Sequence, residues 1–125
     1  MDRCPAKPKL STRPLLTRRQ AQTLESTFKM LANATRLRML HELARAGEIS
    51  VGDLASAIGM KPQAVSNQLV RLSDTRMLAS RRDGNNVFYR VENGCVAPLL
   101  DLALCLMEDE RRPQQTNGER NVQVN

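Results

Sequence analysis

Residues 61–77, KPQAVSNQLVRLSDTRM, would carry two unlike faces if they formed a helix. Val65, Leu69 and Leu72 recur at helical spacing, which predicts one apolar face. Amides of Gln and Asn pair bidentately with an adenine edge, Arg with a guanine edge, and Ser with a donor or an acceptor. An ordinary solvated face is the alternative, although such faces more often use Lys and Glu. The hydrogen-bonding residues of the opposite face are Gln63, Ser66, Asn67 and Arg71.

The helices that must position this face follow from periodicity and from residues that start or stop helices. An apolar stripe of Ala21, Leu24, Phe28 and Leu31 predicts a first helix that begins near Thr17. Three further helices are delimited by typical capping and breaking residues. These are Asn33 and Gly47 for the second helix, Ser50 and Gly59 for the third, and Pro62 for the fourth.

After the fourth helix the pattern changes from helical to alternating. An Asp-Gly turn at residues 83–86 separates two strand-like runs and predicts a β-hairpin. A last helix begins near Gly94 or Cys95, because Pro98 fits only in a first turn. Its apolar residues extend well around the cylinder, which is unusual for a surface helix of a monomer.

A short helix, a tight turn and a helix with a hydrogen-bonding face form the helix-turn-helix plan, whose second helix enters the DNA major groove. The hairpin that follows is placed to act as a wing. We therefore expect a mainly α winged helix-turn-helix, ordered α-α-α-α-β-β-α, that binds double-stranded DNA. Basic residues would contact phosphates, although arginines on an edge strand also prevent aggregation. The candidates are Lys61, Gln63, Ser66, Asn67, Arg71, Arg81, Arg82, Asn85 and Asn86.

Length and charge limit the class of protein. The 125 residues suit one domain, here 17–110, between a flexible basic arm at 1–16 and a disordered tail at 111–125. The net charge of +6 favours an anionic partner, although many small proteins are basic for solubility alone. No signal peptide or membrane-spanning run is visible, so we expect a cytoplasmic protein without a membrane partner.

Other classes of function fit the composition less well. A single histidine and the lack of a Gly-rich phosphate loop argue against an enzyme. Two Phe and one Tyr are few aromatic residues for stacking on single strands, which argues against an RNA-binding protein. A nonspecific nucleoid protein is a further alternative, which would show little preference for a palindromic duplex.

Three segments together resemble the ArsR/SmtB family of bacterial winged-helix repressors: MLANATRLRMLHEL, GEISVGDLASAIGMKPQAVSNQLVRL and RRDGNNVFYRV. The resemblance runs from about Leu24 to Glu108 and adds Gln68 to the candidate DNA-binding residues, with Asn67 where the family usually has His. It implies a homodimer that binds a palindromic operator and is released by an inducer. The first and last helices would form the dimer interface. The candidate interface residues are Leu24, Phe28, Leu99, Leu100, Ala103 and Leu106.

The metal sites that the resemblance would imply are incomplete. Arsenic- and cadmium-type members carry Cys-x-Cys at the start of the third helix, where this chain has Ser50 and Gly52. Zinc- and nickel-type members use an Asp-x-His and a His-x-x-His or His-x-x-Glu on the last helix. The matching positions here are Asn93, Cys95, Leu106 and Asp109, which do not make a convincing site.

Three cysteines are the candidate metal or redox residues: Cys4, Cys95 and Cys105. An odd, sparse set argues against a disulfide framework. Cys95 and Cys105 would lie about 15 Å apart along one helix, so one ion could join them only across an antiparallel pair of last helices. With Cys4, three thiolates would suit arsenite, cadmium or lead. The alternatives are an interchain disulfide switch, inert packing, or a regulator controlled by abundance or a partner protein.

Overall fold

The computed structural model describes residues 6–110, so the expectations for Cys4, the first residues of the arm and the tail fall outside it. The described residues contain five α-helices and three strands, which confirms the expected winged helix-turn-helix and adds one strand. Ahead of α1, an exposed segment contains a 3-10 turn at Leu10–Thr12. The elements are α1 (Arg18–Leu31), α2 (Ala34–Ala46), β1 (Ile49–Ser50), α3 (Val51–Ile58), α4 (Pro62–Ser73), β2 (Leu78–Asp83), β3 (Asn86–Val91) and α5 (Val96–Glu110).

Side-chain caps fix where the helices begin. Thr17 and Gln20 form a capping box at the start of α1, in which each side chain bonds the other residue's backbone N–H. Asn33 and Ser50 each accept a hydrogen bond from the backbone N–H three residues later, at 3.0 and 3.1 Å. Gly59 ends α3 in the left-handed region, with φ of 74°, and so permits the tight turn into α4.

The small sheet has β3 at its centre, with β1 and β2 on either side, and both pairings are antiparallel. Asp83 pairs with Asn86, which leaves a two-residue turn and confirms the predicted hairpin. β1 pairs Ile49 with Tyr89. The sequence did not predict β1, because two residues are too short to display a strand periodicity.

The hydrophobic core lies between α2, α3, α4 and the inner face of the sheet. Seven of its side chains are fully buried, and burying one such Leu or Val contributes about 1.5–3 kcal/mol. The apolar face of α4 therefore lies in this core, and its polar face must point to solvent. The fully buried residues are Met39, Leu40 and Leu43 of α2, Leu54 of α3, and Val65, Leu69 and Leu72 of α4.

The first and last helices leave large apolar side chains in solvent. In α1, Leu24 and Phe28 are about half exposed, and Leu31 is the buried residue. In α5, Leu102 and Leu106 are 67% and 69% exposed. No helix within residues 6–110 is long and apolar enough to cross a membrane. Several large apolar side chains exposed on two helices are more than scattered surface residues, and such exposure is typical of a protein–protein interface.

Candidate nucleic-acid interface

The outward face of α4 presents its amides as a connected pair. Gln63 and Asn67 are both exposed, one helical turn apart, and Nε2 of Gln63 donates to Oδ1 of Asn67 at 3.1 Å. Arg71 is exposed one further turn along the helix. These three side chains lie on the side opposite the buried residues, as the helical spacing predicts, and they can reach a planar base edge in a groove.

A cleft joins the recognition helix to the tip of the wing. Its volume is about 320 Å³, and it lies between the starts of α3 and α4 and the hairpin turn. The cleft brings together side chains that lie far apart in the sequence, so polar groups at the start of α4 and at the wing tip face one shared opening. Its lining residues are Val51, Gly52, Pro62, Gln63, Ser66, Asn85, Asn86 and Val87.

The two neighbouring arginines of the wing differ in their surroundings. Nε and Nη2 of Arg81 donate to the two carboxylate oxygens of Glu48 at 2.9 and 2.8 Å, and its guanidinium lies 4.6 Å from the ring centroid of Phe88. Nη1 of Arg81 also lies 3.8 Å from Asp83. Arg82 is exposed and makes no ion pair with any residue in the described range. The charge of Arg81 is thus largely satisfied within the protein.

The Glu48–Arg81 pair persists at neutral pH. The hydrogen bond from Arg81 holds the pKa of the Glu48 carboxyl below its usual value of 4.5. The pair is therefore complete above that value and is lost only as the pH falls through the lowered pKa. Sequence analysis missed Glu48, because 33 residues separate it from Arg81 and no local pattern links them.

Gln68 does not join the outward face. Its side chain is half-buried on the flank of α4, and its amide oxygen accepts a hydrogen bond from Nε of Arg36 at 2.8 Å. Sequence analysis placed Gln68 among the DNA-binding residues through the family resemblance alone, and it missed Arg36. The structure thus assigns Gln68 an internal partner in α2.

Two positions at which the family resemblance would place metal ligands make local hydrogen bonds to the backbone here. Ser50 caps α3 through its hydroxyl, and Asn93 Oδ1 accepts a hydrogen bond from the backbone N–H of Cys95 at 2.8 Å. Residues 6–110 contain no group of three His, Cys, Asp or Glu side chains that could hold a metal ion. A thiolate site would therefore need sulfurs from outside these residues or from a second chain.

The two cysteines of the described range lie in different environments. Cys95 is half-buried and disulfide-bonded, although the sequence favoured unpaired thiols. It lines a cavity of about 190 Å³ between α1, the end of α4 and α5. Cys105 is a free, exposed thiol on α5.

The predicted interface residues also fall into two groups. Leu99 and Leu100 are partly buried against the core of their own chain. Leu24, Phe28, Ala103 and Leu106 are exposed, as are three further residues of the apolar surface that the sequence predicts for α5. These are Leu102, Leu104 and Met107.

Comparison with known proteins places this geometry among DNA-binding regulators. A family model described as MarR family matches residues 33–86, which span the start of α2 to the start of β3. KmtR, an HTH-type transcriptional regulator of Mycobacterium tuberculosis, is 44% identical over 73 residues, which are 58% of this chain. The chain spans 55% of the length of KmtR.

Two solved structures match over nearly their whole length. AntR, an antimony-specific transcriptional repressor, is 53% identical with a TM-score of 0.75, over 88% of this chain and 99% of AntR. A homodimeric winged helix-turn-helix domain of Mycobacterium bovis, a possible ArsR-family regulator, is 30% identical with a TM-score of 0.66, over 82% of this chain and 99% of that domain. The fold, the polar face of the recognition helix and the relatives all indicate a DNA-binding regulator. The chain belongs to the ArsR/SmtB family of winged-helix transcriptional regulators.

Proposed function

We propose that the chain is a transcriptional repressor that binds a palindromic operator as a homodimer and is released by a thiophilic metal or metalloid ion. The observation that carries the proposal is the outward face of α4. On this face the exposed amides of Gln63 and Asn67 are joined by a hydrogen bond, and a cleft connects Gln63 with the asparagines of the wing tip. Base edges in a major groove are the partners that such groups fit.

A dimer follows from the apolar surfaces of α1 and α5. Burying side chains such as Phe28, Leu102 and Leu106 requires a partner surface of the same kind, and a second copy provides one by symmetry. Two recognition helices related by a two-fold axis would enter successive major grooves about 34 Å apart. The operator would then be an inverted repeat. The homodimeric state of the Mycobacterium bovis domain supports this arrangement.

The effector would bind cysteine sulfur. AntR is described as antimony-specific, and trivalent antimony, like arsenite, prefers thiolate ligands. Cys105 supplies a free thiol on the proposed dimer surface, and Cys95 directly precedes the same helix. Because Cys95 is disulfide-bonded, it must be reduced before it can bind an ion.

Thiol oxidation is the second candidate signal, and the disulfide at Cys95 favours it. The backbone N–H of Cys95 donates to Oδ1 of Asn93, whose own backbone N–H donates at 3.3 Å to the carbonyl of Met77, in the segment that joins α4 to β2. Oxidation or reduction of Cys95 would therefore act close to the end of the recognition helix. A repressor without any inducer is the remaining outcome of the tests below.

DNA recognition is tested by selection from a random pool. The wild-type protein should enrich a duplex that contains an inverted repeat, and its affinity for that duplex should exceed that for random DNA about 1,000-fold or more at physiological salt. Sequencing of the bound pool, followed by anisotropy titrations of both duplexes, measures this. A nucleoid-type protein would enrich no repeat, and that result would contradict the proposal.

The two wing arginines should differ in the salt dependence of binding. Arg82→Ala should reduce the slope of log K against log salt by about 0.9 per protomer, which is the value for one lost phosphate contact. Arg81→Ala, the matched control, should reduce the slope less, because Glu48 already pairs with that charge. Equal reductions for both variants would mean that Arg81 leaves Glu48 and binds a phosphate.

Dimerisation should depend on the exposed face of α5. Leu106→Asp should weaken the dimer about 100-fold or more. The interface would lose one leucine from each subunit, and it would have to bury one charge in its place. Val70→Asp makes the same change at an exposed apolar position of α4 and should leave the dimer intact. Sedimentation equilibrium at micromolar concentration measures both, and a dimeric Leu106→Asp protein would exclude this face as the interface.

The cysteines should determine release from DNA. In reducing buffer, antimonite or arsenite should lower operator affinity of the wild type about tenfold or more, within the usual range of allosteric coupling. Cys95→Ser and Cys105→Ser should abolish this response and leave the ion-free affinity unchanged. Peroxide without reductant tests the oxidation alternative on the same variants. Full release of both variants by every agent would remove these sulfurs from the mechanism.

A further inference from the structure

A single guanidinium joins three helices at the corner between α1 and α2. Nε of Arg36 donates to the amide oxygen of Gln68 at 2.8 Å, and its Nη1 donates to the carbonyl of Met30 at 3.1 Å. Met30 lies in the last turn of α1, Arg36 near the start of α2, and Gln68 within α4. Both hydrogen bonds are partly buried, so they are shielded from competition with water.

The bond to Gln68 controls a degree of freedom that the core leaves loose. Val65, Leu69 and Leu72 fix the depth of α4 in the core, but apolar contacts have little directionality. Gln68 lies about 60° around the helix from Val65, at 3.6 residues per turn. A directional bond at this flank fixes the rotation of α4 about its own axis, and so sets where Gln63 and Asn67 point.

The Arg36 side chain is also held at its base and at a second guanidinium nitrogen. The backbone N–H of Arg36 donates to Oδ1 of Asn33 at 3.0 Å, so the N-cap of α2 holds the base of the side chain. The bond to Met30 then ties the guanidinium to α1, the helix with an unpartnered apolar face. Only arginine suits this task, because its donors form a rigid fork, whereas lysine is a point charge.

We propose that Arg36 is a positioning residue for sequence reading, which acts through Gln68 to fix the rotation of the recognition helix relative to the α1–α2 corner. The proposal rests on the proposed function, because it requires that α4 read DNA. Gln68 then contributes to recognition from inside the protein. A mispositioned α4 would lose base contacts, while the phosphate contacts that carry nonspecific binding remain.

A double-substitution cycle tests the proposal on the duplex that the wild-type protein selects and on a random duplex. Arg36→Lys and Gln68→Met should each lower the ratio of selected to random affinity about tenfold, from the usual contribution of a hydrogen bond to a charged group. The double variant should fall no further than either single variant, because the two residues act through one bond. Affinity for the random duplex should stay unchanged.

Arg38→Lys is the matched control. Arg38 lies on the same helix, and its Nη1 donates at 3.3 Å to the carbonyl of Ile58, a residue of α3 and not of α4. The Arg38→Lys variant should keep the wild-type ratio of selected to random affinity. Circular dichroism and sedimentation on every variant would distinguish loss of folding from loss of sequence reading. Loss of folding lowers affinity for both duplexes in equal proportion, whereas loss of sequence reading lowers affinity for the selected duplex alone.

Four results would overturn the proposal. Additive losses in the double variant would mean that Gln68 contacts DNA directly. Proportional losses on both duplexes would mean that Arg36 only stabilises the fold. If the wild-type protein prefers the selected duplex and Arg36→Lys keeps the same preference, this inference alone is overturned. If the wild-type protein shows no preference for the selected duplex, the proposed function is overturned as well.

Discussion

Burial of one face of α4 determines how its other face meets solvent. Val65, Leu69 and Leu72 are fully buried in the core, and this packing fixes the depth of α4 and the face that it buries. Because the helix is rigid, Gln63 and Asn67 are carried to the surface on its far side. Core packing therefore selects the reading face, and the exact rotation of that face is left to directional bonds such as the one from Arg36 to Gln68.

The polar residues of the site divide into those that hold the structure and those that face outward. The guanidinium groups of Arg81 and Arg36 each donate hydrogen bonds to a side chain within the protein. Arg71 and Arg82 remain exposed. This division matters for interpreting substitutions, since loss of an internal partner changes geometry, whereas loss of an exposed charge changes the attraction to phosphate.

Local signals were sufficient to predict the helix starts and the hairpin. Asn33 and Ser50 cap helices as their types suggest, and residues 83–86 form the expected turn. The sequence could not predict pairs such as Glu48 with Arg81, because nothing local specifies which distant partner a charged side chain meets. For the same reason the sequence did not predict that Gln68 accepts a hydrogen bond from Arg36. The periodicity defined the faces, whereas the tertiary fold selected the partners.

The apolar faces of α1 and α5 have a parallel explanation. Periodicity predicted that α5 is apolar around most of its circumference, but not which leucines its own chain would cover. The fold packs Leu99 and Leu100 against the core and leaves Leu102 and Leu106 mostly exposed. Leu104 and Met107, farther along α5, are less exposed than Leu102, and they line a pocket with residues of α2. The division therefore depends on which face of α5 meets a neighbouring element, which a sequence pattern does not record.

The cap at Ser50 gives the start of α3 a stability that a metal ligand would not give it. Its hydroxyl accepts a hydrogen bond from the backbone N–H of Asp53, whereas the sulfur of a cysteine is a weak hydrogen-bond acceptor. Loss of a serine cap typically costs about 0.5–2 kcal/mol. A thiolate ligand at this position would therefore loosen the first turn of the helix that packs against α4.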